Sequence, residues 1–165
     1  MHLDGSCHCG AVRFSLESAH PVPYQRCYCG ICRKTQGGGG YAVNISGSAK
    51  TLQVEGRRQT RSYHAIMHDD GDRRSNAERV FCGLCGSALW LYDDTWPELI
   101  HPFASAIDTV LPVPPEHTHL MLDSAAAWVE PTIGPKDKSF GQYPEESIAD
   151  WHRRLGLEDG DPPKD

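Results

Sequence analysis

Three thiols fall within six residues at Cys27-Tyr28-Cys29-Gly30-Ile31-Cys32, leaving little room for an ordinary packing explanation. A second pair, Cys7 and Cys9, stands upstream, and a third, Cys82 and Cys85, stands downstream; the three groups use all seven cysteines of the chain. Thiolate sulfur at ligand-like spacing suits zinc, which takes four protein ligands in a structural site and three plus an open position in a catalytic one. Cys7-His8-Cys9-Gly10 and Cys82-Gly83-Leu84-Cys85-Gly86 each end on a glycine, which lets the backbone turn tightly beside a bound sulfur. Two such pairs make one four-sulfur site. Joining parts of the chain so far apart costs loop entropy, and metal binding offsets that cost and couples folding to the ion. The bland alternatives are buried core cysteines and a redox dithiol at Cys82 and Cys85, and the spacing of all three groups together disfavours both.

Cys27, Cys29 and Cys32 then remain on one short loop. Spacing leaves two readings of them open. With water or substrate in the fourth position, a bound zinc would lower the pKa of a thiol or polarise a small carbonyl. With a histidine closing the site, drawn from His8, His64, His68, His117 or His119, the module would be wholly structural. His64 and His68 share a face if their stretch is helical, and His117 and His119 share one on a strand, with solvent exposure as the default for that pair.

The elements that must position these thiols are short. The chain of 165 residues carries 16 glycines and 12 prolines spread along its length, which favours many turns over long helices. Residues 10–17 alternate, with Val12, Phe14 and Leu16 on one face, as in a half-buried strand. Tyr41, Val43 and Ile45 restart the period of two after Gly37-Gly38-Gly39-Gly40, a glycine loop with no nucleotide-binding Lys-Ser/Thr behind it. Further strands are expected at 52–54, 60–63, 88–92 and 120–122, with an exposed loop over 68–76. Helix signals gather only near the end: Pro144, Glu145 and Glu146 at the start, Arg153 and Arg154 at the finish, Gly156 as the stop, and Ile148, Trp151 and Leu155 on one face. One domain over 1–157 with a flexible acidic tail over 158–165 follows. A formal net charge of −6, more negative still with thiolates on zinc, argues against nucleic acid as a partner. No apolar run is long enough for a membrane span, no secretory signal is seen, and reduced thiols fit the cytoplasm. Arg33 and Lys34, directly after the trio, would attract the carboxylate of a peptide thiol, although such a pair is more often a solvated face.

Gly5-Ser6-Cys7-His8-Cys9-Gly10-Ala11-Val12-Arg13-Phe14 resembles the opening motif of the glutathione-dependent formaldehyde-activating enzyme family, which also includes centromere protein V. Cys27-Tyr28-Cys29-Gly30-Ile31-Cys32-Arg33-Lys34 is similar to its central C-x-C-x-x-C motif, and Arg79 to Ser87 to its third. The resemblance implies a mostly β, Mss4-like fold of zinc-stapled antiparallel sheets with a short C-terminal helix. It also implies two zinc ions per chain: a structural one on Cys7, Cys9, Cys82 and Cys85, and a catalytic one on Cys27, Cys29 and Cys32. The implied reaction is that of a carbon–sulfur lyase, joining glutathione and formaldehyde into S-hydroxymethylglutathione or releasing them. Relatives often carry a small residue or histidine where Tyr28 stands, so Tyr28 is expected to reshape the entrance. The alternative is a non-catalytic zinc-binding interaction module of the same fold.

Overall fold

The computed structural model describes residues 1–36 and 38–157. Gly37 of the glycine run and the tail from Glu158 to Asp165 lie outside the described residues. In chain order the strands are β1 (His2–Ser6), β2 (Arg13–Glu17), β3 (Tyr24–Cys27), β4 (Ala42–Asn44), β5 (Gly47–Ser48), β6 (Gln53–Glu55), β7 (Thr60–Met67), β8 (Arg73–Cys82), β9 (Ala88–Tyr92), β10 (Leu99–Pro102), β11 (His117–Leu120) and β12 (Lys138–Ser139). Helix α1 (Gly30–Gln36) follows β3, and α2 (Ile148–Arg154) comes after the last strand. The molecule is mostly β, with short antiparallel sheets and one short C-terminal helix, as expected.

Two compact units divide the chain. One contains His2–Ser18 and Ser46–Leu111, the other Ala19–Ile45 and everything from Pro112 onwards. In the first, β1, β2 and β6 form an antiparallel sheet, and β5-β10-β9-β8-β7 form a second. Alternation drives β2, where Phe14 and Leu16 turn inward, whereas β9 buries the consecutive Leu89 and Trp90 on its two faces. Phe14 meets Trp90 edge-on with ring centroids 5.1 Å apart, the preferred aromatic arrangement. The stretch 68–76 is not all loop. Arg73 already belongs to β8, which carries Arg73, Arg74, Glu78 and Arg79 and pairs with the edge strand β7. His64 lies on a strand and His68 in the turn beyond it, so no helical face joins them.

The second unit is a four-stranded sheet in the order β12-β11-β3-β4. It is mixed: β3 and β4 run antiparallel, while β11 runs parallel to both β3 and β12. The phase of β4 is opposite to the expectation, with Ala42 and Asn44 buried and Tyr41 and Val43 half-buried. Docking of α2 rests on Trp151, which is buried and donates its indole N–H to Glu116 at 2.8 Å. Arg154 spans Glu116 and Glu146, and His152 Nε2 lies 2.6 Å from the Val22 carbonyl. Ser147 caps α2 by accepting the Asp150 N–H, so the helix starts after the Pro144-Glu145-Glu146 stretch rather than at it.

Candidate metal centres and their surroundings

Cys7 and Cys9 follow β1, and Cys82 and Cys85 sit where β8 turns toward β9. All four Sγ atoms lie within 4.8 Å of one another. The Cys7–Cys9 separation is 3.5 Å and the Cys9–Cys82 separation 3.8 Å. A tetrahedron with zinc–sulfur bonds of about 2.3 Å has edges of about 3.8 Å, and these two separations match that spacing. The turns that deliver them are alike: Gly10 N–H donates to the Cys7 carbonyl and Gly86 N–H to the Cys82 carbonyl, each at 2.9 Å. Both glycines hold left-handed backbone, φ +73° and +77°, which a side chain would strain.

Electrostatics divide this cluster: N–H donation from Ala11 lowers the Cys9 thiol, but the hydrogen bond with Cys7, burial and the other thiols outweigh it and push Cys9 up to about 12, while Cys85 and Cys7 incline to thiolate. Ser87, through its hydroxyl and backbone N–H, and then the Cys9 N–H bring the Cys85 thiol down to about 5. Burial pushes the Cys7 thiol up, but N–H donation from Val12 and the neighbouring thiols bring it below its ordinary value.

Cys27 ends β3, and Cys29 and Cys32 flank the start of α1. Their sulfurs also lie within 4.8 Å of one another, with Cys27 and Cys32 buried and Cys29 half-buried. Among the described residues, no fourth Cys, His, Asp or Glu atom joins this group. Hydrogen bonds from Cys27 and Cys32 and from backbone N–H groups hold the Cys29 thiol well below the ordinary range. Hydrogen bonds with Cys29 and Cys32, and then burial, push Cys27 far up. Three clustered thiols, with Cys29 already inclined to thiolate, suit a divalent ion.

Four of the five histidines offered as caps are engaged elsewhere, and the fifth, His8, is exposed between Cys7 and Cys9 in the other compact unit. His64 Nδ1 meets the Ser75 carbonyl at 2.9 Å, and His68 meets Asp72. His117 and His119 do share a strand face, but His119 is fully buried rather than exposed. Its Nε2 lies 3.3 Å from Asp137, and its Nδ1 lies 3.0 Å from the Tyr28 hydroxyl. Burial lowers the pKa of His119, keeping the ring neutral, and an ionised Asp137 only accepts. Nε2 therefore carries the proton, and Nδ1 accepts from Tyr28 O–H. Tyr28 is fully buried, stacked on His119 and tilted against Tyr41, so it braces the trio's loop from within and does not line its entrance.

Asp137 escaped the sequence reading; it falls in no recognisable spacing. Ser87, directly after Gly86, was legible as a neighbour of sulfur. A groove of about 540 Å³ lies by β7, β8 and β9, and its lining, which includes Lys50, Arg57, Arg61, Glu78, Trp90 and Tyr92, holds no thiol.

The sequence profile described as glutathione-dependent formaldehyde-activating enzyme matches residues 2–123, a span that takes in all seven cysteines. The chain belongs to the glutathione-dependent formaldehyde-activating enzyme family. A Halomonas elongata relative, provisionally named a glutathione-dependent formaldehyde-activating enzyme, is 59% identical over 160 residues, covering 97% of this chain and all of the relative. A Rhodobacter sphaeroides protein of known crystal structure superposes with a TM-score of 0.52 at 25% identity, covering 68% of this chain and 92% of that one. In this member of the family, both thiol groups of the resemblance are assembled in space, each within a single compact unit.

Proposed function

We propose that the chain is a zinc-dependent carbon–sulfur lyase that forms or breaks a thiol–aldehyde adduct, S-hydroxymethylglutathione or a close analogue. Cys27, Cys29 and Cys32 would hold the zinc at which substrate reacts, and Cys7, Cys9, Cys82 and Cys85 a second that staples the fold. One observation carries this reading: three clustered thiols, one half-exposed, with no fourth protein ligand among the described residues. When bound there, zinc supplies Lewis acidity toward a carbonyl oxygen and favours the thiolate form of an incoming thiol.

The chain's own residues supply geometry. Cys27 and Cys32 are fixed by burial against Ala42 and Leu120, with Cys29 and Met121 packed alongside. The half-exposed Cys29 marks the side from which a substrate approaches. Tyr28, His119 and Asp137 hold the loop between the sulfurs in one arrangement. In the forward direction the thiol's S–H bond breaks, sulfur bonds to the aldehyde carbon, the carbonyl π pair becomes an oxygen lone pair, and that oxygen takes the proton. Atoms and charge balance with no oxidant. Because this addition proceeds unaided, the main contribution is positioning two reactants side by side. The reading carries a reduced, cytoplasmic setting, in keeping with seven unpaired thiols.

Exchange NMR with carbon-13 formaldehyde tests this. Adduct formation with glutathione should be faster with the zinc-loaded protein than with buffer or with the metal-stripped protein. No acceleration with glutathione, cysteine or 2-mercaptoethanol would instead favour a non-catalytic binding module.

A further inference from the structure

The groove beside β7, β8 and β9 takes no part in the thiol chemistry. Every residue that lines it belongs to the compact unit containing Ser46–Leu111. Its floor is one face of the five-stranded sheet. On that face Ser62, Val80 and Trp90 stand in register on β7, β8 and β9, and Glu78 stands opposite Tyr92 in the next row. Val80, Trp90 and Ile100 are buried there, so the floor is apolar and aromatic. Cations enter from both edges of the sheet. Lys50 sits in the single helical turn Ala49–Thr51 after β5, one edge strand, and Arg57 in the turn Arg57–Gln59 that leads into β7, the other. Arg61 adds a third positive charge, tethered by Nη1 donation to the Arg58 and Thr60 carbonyls at 3.2 and 2.8 Å. Glu78 is the one carboxylate in the lining. Lys50 and Arg57 are exposed, and none of these four charges enters an ion pair among the described residues.

We propose that this groove binds a small organic anion with a planar ring, the ring resting on the Trp90–Tyr92 floor and the anionic group drawn by Lys50 and Arg57. Its volume of about 540 Å³ falls within the span of small-molecule sites, about 300–1,000 Å³. Three cations against one carboxylate make the lining net positive in a chain of formal charge −6. The groove is thus a local basic exception that concentrates anions where the rest of the molecule repels them. An apolar and aromatic floor suits a flat ring, which a bare solvated ion lacks. Arginine and lysine hold phosphate esters and carboxylates alike, so the recognised chemistry is negative charge carried on a ring, and either group supplies it. The site does not depend on the lyase reading, since no thiol lines it.

Calorimetry on the zinc-loaded full chain tests this with 1-naphthyl phosphate, 1-naphthoate, the neutral 1-naphthalenemethanol and inorganic phosphate. At least one of the two ring-bearing anions should bind at a single site per chain, about tenfold or more tighter than the neutral ring or inorganic phosphate. Added salt should weaken that binding. Binding of naphthyl phosphate alone assigns a phosphate ester, and of naphthoate alone a carboxylate; both results support the site. Lys50→Ala and Arg57→Ala should each lower the affinity roughly three- to tenfold, and Tyr92→Leu should lower it several-fold through the ring. Because Lys50 and Arg57 are exposed and stand apart from the thiols in sequence, both alanine variants should keep the thermal midpoint and the formaldehyde–glutathione exchange of the natural protein. Four results would overturn the proposal: no binding of either ring-bearing anion, equal binding of the neutral ring, equal binding of inorganic phosphate, or an affinity that all three substitutions leave unchanged.

Discussion

Asp137 collects four donors: the backbone N–H groups of His117 and Gly134, each at 2.8 Å, and the rings of His117 and His119. The carboxyl is nearly buried; desolvation would raise its pKa, but these hydrogen bonds outweigh that and hold it far below its ordinary value. Replacing it by asparagine removes an ionised acceptor, so Asp137→Asn should cost about 1.5–3 kcal/mol, read as a fall of several degrees in thermal midpoint. The sign of the pH dependence follows from the depressed pKa. The advantage of the natural protein should be complete above pH 3.8, the ordinary value, and shrink as pH falls below it. A gap that widens in acid would contradict this. Tyr28→Phe strands only the His119 acceptor and should cost about 1–3 kcal/mol by the same melt. At this scale the sequence disclosed every sulfur, because ligand spacing is written locally. It could not disclose Asp137, which stands in Gly134-Pro135-Lys136-Asp137 and reaches its histidines only through the parallel pairing of β11 with β12.

Strand β9 matched its expected bounds and β2 fell within its expected stretch, since an apolar run and a clean alternation both report burial directly. Helix α1 was not expected: seven residues between a glycine and a glycine run show no amphipathic repeat, and its backbone geometry comes from tertiary context. The parallel pairing of β3 with β11 was also illegible, because partners so distant leave no mark in local pattern. Helix α2 was read correctly in its apolar face, with Trp151 buried, but it begins at Ile148 and not at Pro144. Truncating its buried Trp151 to alanine should cost about 3–5 kcal/mol, visible in denaturant unfolding. Glu116, which Arg154 holds below its ordinary pKa, contributes stability above pH 4.5 that declines as pH falls through its folded value. Glu116→Gln should therefore flatten the acid limb of the stability curve. In the knuckle after β8, a Cβ on Gly86 would meet nothing within 4 Å, so Gly86→Ala should cost only the left-handed backbone penalty, about 1–2 kcal/mol. A much larger loss would mean that the turn tolerates no change beside its sulfurs.

For the molecule as a whole, the two thiol groups are expected to differ in what they do, although both are built from cysteine. Each lies within its own compact unit. The four-sulfur group ties residues after β1 to residues after β8, so its ion should contribute to folding outright. The trio lies on one short stretch and closes no long loop, so its ion should matter far less for stability. No helix among the described residues is long and apolar enough to cross a membrane. The most direct measurement is zinc content, thermal midpoint and formaldehyde–glutathione exchange determined together for the natural protein, Cys29→Ser and Cys82→Ser. Two zinc ions should be found in the natural protein. Cys29→Ser should keep one ion and nearly the full midpoint while losing the exchange activity, and Cys82→Ser should unfold at much lower temperature. If Cys29→Ser keeps full exchange activity, or melts as early as Cys82→Ser, the trio is not the reacting centre and the account is contradicted.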